Sequence, residues 1–270
     1  MPIAPTAQVH PTALLSPGVE VAEEVRIGPF AVVEGHVQIG RGCVIGPHAH
    51  LCGPLVMGQE NQVFTGAVLG ERPQHLKYRG EPTGLEIGDH NVFREGVTIH
   101  RGTTHSWTTR VGSHNYFMAN SHVGHDCVIG NRILFANGAL VGGHCTIEDN
   151  AYLSGNCAVH QFVRVGRLAL LSGCSVTTKD IPPFMMQQGF DNVVGVNVVG
   201  LRRAGISGDC INAIRRAFHI LYREGHLIPV ALARIEKELA AIDVITALVQ
   251  FIRQSSRGIN MMHDRRPEAA

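Results

Sequence analysis

The sequence predicts a parallel β-helix built from six-residue repeats and followed by an α-helical tail. The first observation is an apolar residue at almost every sixth position from Val9 to Leu171. A period of six fits neither a helix nor simple strand alternation, so each unit is interpreted as a short strand and a turn. The second observation is that this pattern stops near Ser175 and gives way to helical spacing from Ser207.

Each repeat unit carries two further signals. Glycine directly follows many of the periodic apolar residues, which indicates a tight backbone corner. The fifth position of most units is small or apolar, so its side chain is also expected to point inward. These residues are Val19, Val25, Ala31, Val37, Cys43, Ala49, Cys127, Ala139, Cys145, Ala151 and Cys157. Two inward positions and one corner per unit predict a prism with flat sides, but the repeat alone leaves the number of sides open.

Two interruptions of the repeat are predicted to be loops that bulge outward. They cover residues 71–84 and 101–110, and they hold the polar exceptions to the register, which are His75, Glu81 and His105. Binding residues concentrate on loops that a rigid scaffold carries. Both loops are therefore candidates for a functional role.

The chain is predicted to have three parts. A β-helix that includes both loops covers residues 1–180. Two consecutive prolines, which cannot donate to a strand ladder, begin a linker over residues 181–205. A helical domain follows over residues 206–270, with Ser207 as the N-cap of its first helix and Gly225 at the end of that helix.

Composition narrows the functional class. The chain has 270 residues, is 44% hydrophobic and carries a formal net charge of +1, which predicts no strong attraction to nucleic acid. It has no apolar run long enough for a transmembrane segment, and its start lacks the features of a secretory signal, so a cytoplasmic protein is expected. Seven cysteines without a Cys-x-x-Cys pair argue against a disulfide framework or a zinc knuckle.

Histidines supply the candidate chemistry, because the chain has 16 of them and several share one register. If a coil takes three units, then His125, His144 and His160 lie on one side of the prism and His122 lies at the corner that leads into it. His100 opens the last unit before the second interruption. Histidine suits proton transfer near neutral pH, so His125 is the best candidate for a general base.

Asp126 follows His125 directly and is a possible partner that orients the ring, although neighbours on a strand tend to point apart. Two alternatives remain open for the same cluster. The imidazoles can simply pack and hydrogen-bond in a subunit interface. Three imidazoles that converge from neighbouring coils or subunits can also bind zinc.

Five motifs closely resemble those of the UDP-N-acetylglucosamine acyltransferases that begin lipid A synthesis. They are QHLKYRGEPT at 74–83, VTIHRGT at 97–103, HVGHDC at 122–127, AVHQF at 158–162 and GVN at 195–197. The likeness covers nearly the whole chain. It implies a left-handed β-helix with three sides and three repeat units per coil, assembled as a homotrimer with active sites in the clefts between subunits.

The resemblance implies transfer of a 3-hydroxyacyl chain, such as 3-hydroxymyristoyl, from the phosphopantetheine thioester of acyl carrier protein to the glucosamine 3-hydroxyl of UDP-N-acetylglucosamine. It implies no separate cofactor and no metal. His125 matches the general base, Asp126 its supporting residue and Gly143 the backbone N–H that stabilises the oxyanion. Gly173 matches the position that measures acyl-chain length, and a glycine there leaves room for a long chain. Positions matched to substrate contacts are Gln74, His75, Lys77, His100, His122, His144, His160 and Gln161, with Asn197 and Arg203 at the nucleotide end.

Three positions depart from the family pattern. His75 stands where aspartate is common, and Val199 and Ala204 stand where glutamate and arginine are common near the nucleotide. The change at His75 leaves open an acceptor with an amine at the sugar 3-position, which would give an amide. Other enzymes with this solenoid include zinc-dependent γ-type carbonic anhydrases, but their tail does not supply the segment 195–197. A purely structural solenoid needs flat repetitive outward rows, which the sequence does not show.

Overall fold

The repeat folds as a parallel β-helix, and a computed structural model describes residues 3–239 and 242–263. The strands form three sheets, and each sheet pairs strands from successive coils. The cross-section is therefore a triangle. The expected fold class, a left-handed parallel β-helix with a helical C-terminal region, is confirmed.

The first sheet has 11 strands, which are Gln8–Val9, Arg26–Ile27, Val44–Ile45, Gln62–Val63, Val92–Phe93, Tyr116–Phe117, Leu134–Phe135, Tyr152–Leu153, Leu170–Leu171, Met185–Gln187 and Val193–Val196. The second sheet has nine, which are Leu14–Leu15, Val32–Glu34, His50–Cys52, Val68–Glu71, Thr98–His100, His122–Val123, Leu140–Val141, Ala158–Val159 and Val176–Thr177. The third sheet has eight, which are Val19–Val21, Val37–Ile39, Leu55–Met57, Gly84–Ile87, Thr108–Val111, Val128–Ile129, Thr146–Ile147 and Arg164–Val165.

The strand register shows where the two loops leave the β-helix. On a regular coil of the second sheet, Val123 pairs with Val141, which lies three repeat units further along the chain. Two steps are longer, because Val68 pairs with Thr98, five units further on, and Thr98 pairs with His122, four units further on. The additional residues form a first loop over 72–83 and a second loop over 101–107. Both loops leave the coil at the same corner, between the second and third sheets.

The second loop is shorter than the expected 101–110, because a strand resumes at Thr108. The sequence conceals this strand since Thr109 takes an inward position, where it is polar yet 0% exposed. A search for apolar residues therefore passes over it.

The inward positions form a continuous core. The expected fifth-position residues, from Val19 to Cys157, are at most 2% exposed. Phe93, Phe117 and Phe135 stack on successive coils, with ring centroids 5.0 and 4.6 Å apart. Because each coil buries its inner side chains only against its neighbours, the stack forms one long rigid core.

The glycines at the corners are required by the close stacking of the coils, not by an unusual backbone conformation. The residue with a left-handed backbone at these corners lies two positions later, as at Asp126 with φ 60° and His144 with φ 62°. A Cβ at Gly124 would lie 2.7 Å from the amide nitrogen of Gly143 on the next coil. Close stacking of the coils therefore excludes larger side chains there.

The region 181–205 contains regular structure although the sequence indicates a linker. Its strands Met185–Gln187 and Val193–Val196 pair antiparallel, and helix α1, Val198–Arg203, follows them. The strands do not follow the six-residue register and α1 has only six residues. Neither element is long enough to show its own period in the sequence.

Three longer helices complete the described chain: α2, Gly208–Tyr222, α3, Ile228–Leu239, and α4, Asp243–Arg253. Ser207 caps α2 as predicted, with its side chain accepting from the Cys210 amide at 3.3 Å. The last part of the expected helical domain, residues 264–270, lies outside the described residues. Within the described ranges, no helix is both long and apolar enough to cross a membrane.

Candidate active site

The candidate base lies at the corner between the second and third sheets. His125 and Asp126 form the turn that follows the strand His122–Val123. The second loop leaves this corner one coil earlier, and the first loop leaves it two coils earlier. The β-helix therefore places both loops beside the His125 turn.

His125 and Asp126 are hydrogen-bonded to each other, although sequence reasoning expected neighbours to point apart. His125 Nδ1 lies 2.7 Å from Asp126 Oδ2. The expectation holds for strands, but Asp126 has a left-handed φ of 60° and belongs to a turn. This turn brings adjacent side chains to the same side. Because the carboxylate can only accept, Nδ1 is the donor of this bond, and in the neutral ring Nε2 then carries the lone pair.

Asp126 is a buried carboxylate whose hydrogen bonds come largely from the second loop. Its side chain is 0% exposed and accepts from the backbone N–H of Thr103 at 3.0 Å and from that of Ser106 at 3.1 Å. The hydroxyls of Thr103 and Ser106 donate to it at 2.7 and 2.5 Å. Burial alone would raise the pKa of Asp126, but the hydrogen bonds from Ser106, Thr103 and His125 outweigh it and hold the pKa well below its usual range.

Further aromatic rings surround His125. The ring of His144 lies 4.9 Å away, edge to face, and the ring of His75 from the first loop lies 5.2 Å away. His144 in turn stacks on Phe162 at 4.3 Å and meets His105 of the second loop at 4.7 Å. Burial lowers the pKa of His144, which Asp126 opposes and the neighbouring imidazoles reinforce. His144 is therefore neutral at pH 7 and gives the site an uncharged wall.

His100 and His122 form a second pair of rings beside this group. Their centroids are 4.9 Å apart, and His122 Nδ1 lies 2.8 Å from the hydroxyl oxygen of Thr98. Burial lowers the pKa of His100 to about 4, and His122 and His125 add to the shift. Burial also lowers the pKa of His122. Both rings are therefore uncharged at neutral pH and can donate or accept hydrogen bonds from a polar ligand.

Gly143 lies on the coil after His125, directly against the His125 ring. A Cβ built on Gly143 would lie 2.8 Å from Cε1 and 3.0 Å from Nε2 of that ring. Only glycine leaves this space free. Among the described residues the Gly143 N–H has no hydrogen-bond acceptor, so an amide donor lies unused beside the candidate base.

The same side chains are a candidate metal cluster. Ligand atoms of His125, Asp126 and His144 all lie within 4.8 Å of one another. However, Asp126 already accepts hydrogen bonds from Thr103, Ser106 and His125 on its two oxygens. The arrangement therefore fits an orienting carboxylate better than a free metal ligand.

Comparison with known proteins identifies the family. The model described as "Udp N-acetylglucosamine O-acyltransferase; Domain 2" matches residues 180–260, and the bacterial transferase hexapeptide model matches residues 18–53 and 108–143. An acyl-[acyl-carrier-protein]–UDP-N-acetylglucosamine O-acyltransferase from Anaeromyxobacter sp. is 49% identical over 93% of this chain and 98% of its own. One from Thiobacillus denitrificans is 47% identical over 94% and 99%. The chain belongs to the UDP-N-acetylglucosamine O-acyltransferase family.

Solved structures of this family agree with the fold. The UDP-N-acetylglucosamine acyltransferase of Francisella novicida aligns with a TM-score of 0.88 at 34% identity, over 97% of this chain and 95% of that one. The UDP-N-acetylglucosamine O-acyltransferase of Moraxella catarrhalis aligns with a TM-score of 0.85 at 36% identity, over 96% and 100%. The chain is accordingly an acyltransferase.

Four other residues expected to contact substrate in this acyltransferase have exposed side chains outside the ring cluster. Gln74 and Lys77 are exposed on the first loop. His160 and Gln161 are exposed two coils beyond His125, and the His160 ring faces the Gln161 carbonyl at 3.1 Å. Gln74 and Lys77 therefore belong to the loop that lies beside His125. His160 and Gln161 lie on the exposed surface of the single chain, next to the site.

Three further expected residues lie nearer the C-terminus. Gly173 is exposed, and a Cβ there would meet only Gly155 O, at 3.4 Å, so packing does not require glycine. Arg203 is exposed at the end of α1. Asn197 is 5% exposed, caps α1 by accepting from the Gly200 amide at 3.0 Å and donates to Leu168 O at 2.9 Å. Its side chain therefore has a clear role in folding α1.

Sequence reasoning missed three residues that hold Asp126 in this acyltransferase. Thr103 and Ser106 donate to Asp126, and the buried hydroxyl of Thr109 accepts from the Asp126 amide at 2.8 Å. The polar interruption at 101–110 indicated the region but not the partners. A buried hydroxyl one coil before a candidate acid is the signal that could have found Thr109.

Proposed function

We propose that this acyltransferase moves a 3-hydroxyacyl chain from acyl carrier protein to the 3-hydroxyl of UDP-N-acetylglucosamine in the cytoplasm. The proposed chain is 3-hydroxymyristoyl, because the open position at Gly173 leaves room for a long chain. The observation that carries this proposal is the hydrogen-bonded His125–Asp126 pair, with the His144 imidazole packed against His125. Support for the substrates comes from the names of relatives that align along nearly the whole chain.

In the proposed mechanism His125 is the general base. Asp126 accepts a hydrogen bond from the N–H at Nδ1, which leaves Nε2 as the proton acceptor. Nε2 takes the proton of the sugar hydroxyl as the hydroxyl oxygen attacks the thioester carbonyl carbon. The ionised carboxylate then stabilises the imidazolium that forms. No covalent acyl-enzyme is involved, since the acceptor hydroxyl itself is the nucleophile.

The second half of the proposed reaction returns the proton. The tetrahedral intermediate carries its negative oxygen toward the unused N–H of Gly143. As the carbon–sulfur bond breaks, the imidazolium of His125 gives its proton to the departing phosphopantetheine thiolate. The products are the sugar ester and the free thiol of acyl carrier protein, and His125 is again neutral.

A homotrimer is proposed because the surface next to the site carries exposed apolar side chains. Leu140 and Val176 of the second sheet are 47% and 37% exposed, and Phe162 beside His144 is 45% exposed. Packing this face against a neighbouring chain would remove them from water. The histidine cluster would then lie in a cleft between two subunits, with the exposed His160 and Gln161 facing into it.

Acyl carrier protein is typically acidic, so arginines of the tail are the proposed docking residues. Arg216 is not suited to this role, because it donates to Glu224 at 2.7 Å and to Glu238 at 2.9 Å. Arg203 and Arg215 are exposed on the same part of the tail. Arg203 is also proposed to reach the nucleotide of UDP-N-acetylglucosamine.

The second loop is expected to act through Asp126. In Thr103→Val or Ser106→Ala, loss of one hydroxyl donor to the carboxylate should lower kcat roughly tenfold with little change in KM, since such bonds to charged groups are worth about 1.5–3 kcal/mol. Steady-state kinetics check this. Thr104→Val is the matched control, because Thr104 is an exposed neighbour on the same loop.

The same variants should also shift the pH dependence of stability. Because the pKa of Asp126 is lowered by folding, its contribution to the free energy of unfolding is present above the unfolded-state pKa and is lost as pH falls through the folded-state value. Removing a donor raises the folded-state pKa, so the contribution should be smaller and its loss should be complete at a higher pH. Denaturant unfolding at a series of pH values measures it, and an unchanged series would contradict the donor role.

Gly173→Met is expected to shorten the preferred acyl chain. The position is open, so the larger side chain can be accommodated without disturbing the coil and instead fills the proposed acyl groove. Competition between acyl carrier protein thioesters of different length measures the preference. Retention of the long-chain preference by a folded Gly173→Met enzyme would show that the groove runs elsewhere.

The function is tested by mass spectrometry of the product formed from mixed acyl carrier protein thioesters. UDP-N-acetylglucosamine and its 3-amino analogue are supplied together, because His75 lies against His125 where the family commonly carries aspartate. The proposal expects the ester of the first acceptor; a predominant amide would instead establish the amine as the acceptor. Enzyme dialysed against a chelator should give the same rate while circular dichroism shows it folded, and a loss restored by zinc in such folded enzyme would replace the base mechanism with a metal-dependent one.

A further inference from the structure

A second cluster of ligating side chains lies at the same corner, on coils nearer the N-terminus. Glu34, His50, Cys52 and Glu71 come from three successive strands of the second sheet. The register places Glu34 beside Cys52. None of the four takes part in the mechanism proposed for His125.

The ligand atoms of Glu34, His50 and Cys52 all lie within 4.8 Å of one another, and Glu71 extends this group through Cys52. His50 Nε2 lies 3.1 Å from Glu34 Oε1 and 3.3 Å from Cys52 Sγ. Cys52 Sγ lies 3.7 Å from Glu71 Oε2. Zinc bonds of about 2.0–2.3 Å in tetrahedral geometry separate such donors by about 3.3–3.6 Å. Small side-chain adjustments would therefore bring the atoms of Glu34, His50 and Cys52 onto one ion, and the Glu71 carboxylate, which contacts Cys52, would turn toward that ion as the fourth ligand.

The surroundings of the cluster match the needs of a metal site. The other oxygen of Glu71 accepts from the Arg72 amide at 2.7 Å, which points Oε2 toward Cys52. Cys52 is 4% exposed, and it lies outside the inward fifth position that Cys43 and Cys127 occupy. Arg101 donates to the Gly53 carbonyl beside the cluster and offers a positive charge to a site rich in anionic ligands.

We propose that Glu34, His50, Cys52 and Glu71 bind one zinc ion, which links three successive coils of the β-helix. Nitrogen, sulfur and carboxylate donors in a tetrahedral set are typical of zinc. Burial, with the nearby carboxylates of Glu71 and Glu34, raises the pKa of Cys52 to about 12, so its thiol is neutral without a cation. Binding therefore transfers the thiol proton to solvent as the sulfur–zinc bond forms.

The experiment uses the full-length protein stripped of metal and titrated with Co²⁺, which absorbs where Zn²⁺ does not. One equivalent per chain should give thiolate-to-cobalt charge-transfer absorption and the d–d bands of a tetrahedral ion. Cys52→Ser should lose the charge-transfer band and His50→Gln should weaken binding at least tenfold. Cys174→Ser is the matched control, since Cys174 is an exposed cysteine outside the cluster.

A second measurement covers variants that fold poorly. Saturating Zn²⁺ should raise the melting temperature of the wild-type protein by roughly 5 °C or more, and should raise that of Glu71→Gln by much less. Absence of cobalt absorption in folded wild-type protein would overturn the proposal. So would bands that survive Cys52→Ser, or bands that disappear in His125→Ala, which would assign the ion to the catalytic cluster instead.

Discussion

Alanine at position 125 should lower kcat by about 10³-fold, because the sugar hydroxyl then has no base in reach. The fold should persist, since the imidazole is largely buried, with 12% of its side chain exposed, but does not belong to the apolar core of the β-helix. Asp126 keeps its donors from Thr103 and Ser106, so the buried carboxylate is not left unsatisfied. Steady-state kinetics with purified acyl carrier protein thioester measure the loss.

The matched control for this substitution is His90→Ala. His90 stacks on His114 at 4.9 Å on another corner of the β-helix, so its replacement removes the same ring from an exposed position away from the site. It should leave kcat within about twofold of the wild-type value, as surface substitutions normally do. Circular dichroism and light scattering check fold and assembly in both variants. Turnover near the wild-type rate in a folded His125→Ala enzyme would remove the base assignment.

Gly143→Ala should lower kcat by about 10²-fold without a matching rise in KM. The added methyl would stand 2.8–3.2 Å from three atoms of the His125 ring, so the ring must move. Displacement of a catalytic group by about 1 Å costs a factor of this size. The methyl also crowds the amide proposed to stabilise the oxyanion.

Gly155→Ala is the control for this second variant. A Cβ at Gly155 would meet only Asn137 O, at 3.5 Å, which is an ordinary contact. It should therefore keep wild-type kinetics. If Gly143→Ala also kept them, the ring would have room to turn aside and remain productive, and the close packing between Gly143 and His125 would have no catalytic importance.

The sequence could predict most of the β-helix because the buried side chains follow one period. Val123, Val141 and Val159 are inward residues on successive coils, and their spacing is visible without a structure. The prediction was wrong where polar residues take inward positions, as at Thr109, and over 181–205, where strands leave the register. Over 181–205 the buried apolar residues, among them Phe184, Met185 and Val193, do not follow the six-residue period.

The ring cluster was predicted in part for the same reason. The register of three repeat units per coil that the resemblance implied places His125 beside His144, and their centroids are 4.9 Å apart. The Asp126 hydrogen bonds were not predictable, because they depend on a left-handed turn and on a loop that folds back one coil. Asn197 shows the converse, since a residue matched to nucleotide binding proves to cap α1. Its contact with the nucleotide stays a prediction.

The position of the acceptor oxygen tests the role of His125 most directly. A crystal structure of the enzyme with UDP-N-acetylglucosamine, or with its acylated product, should place the glucosamine 3-oxygen within about 3 Å of His125 Nε2. The Gly143 N–H should face the carbonyl oxygen of the product, in a cleft between two subunits. A 3-oxygen bound away from His125, or a sugar held on a face that no second chain approaches, would contradict the proposed mechanism.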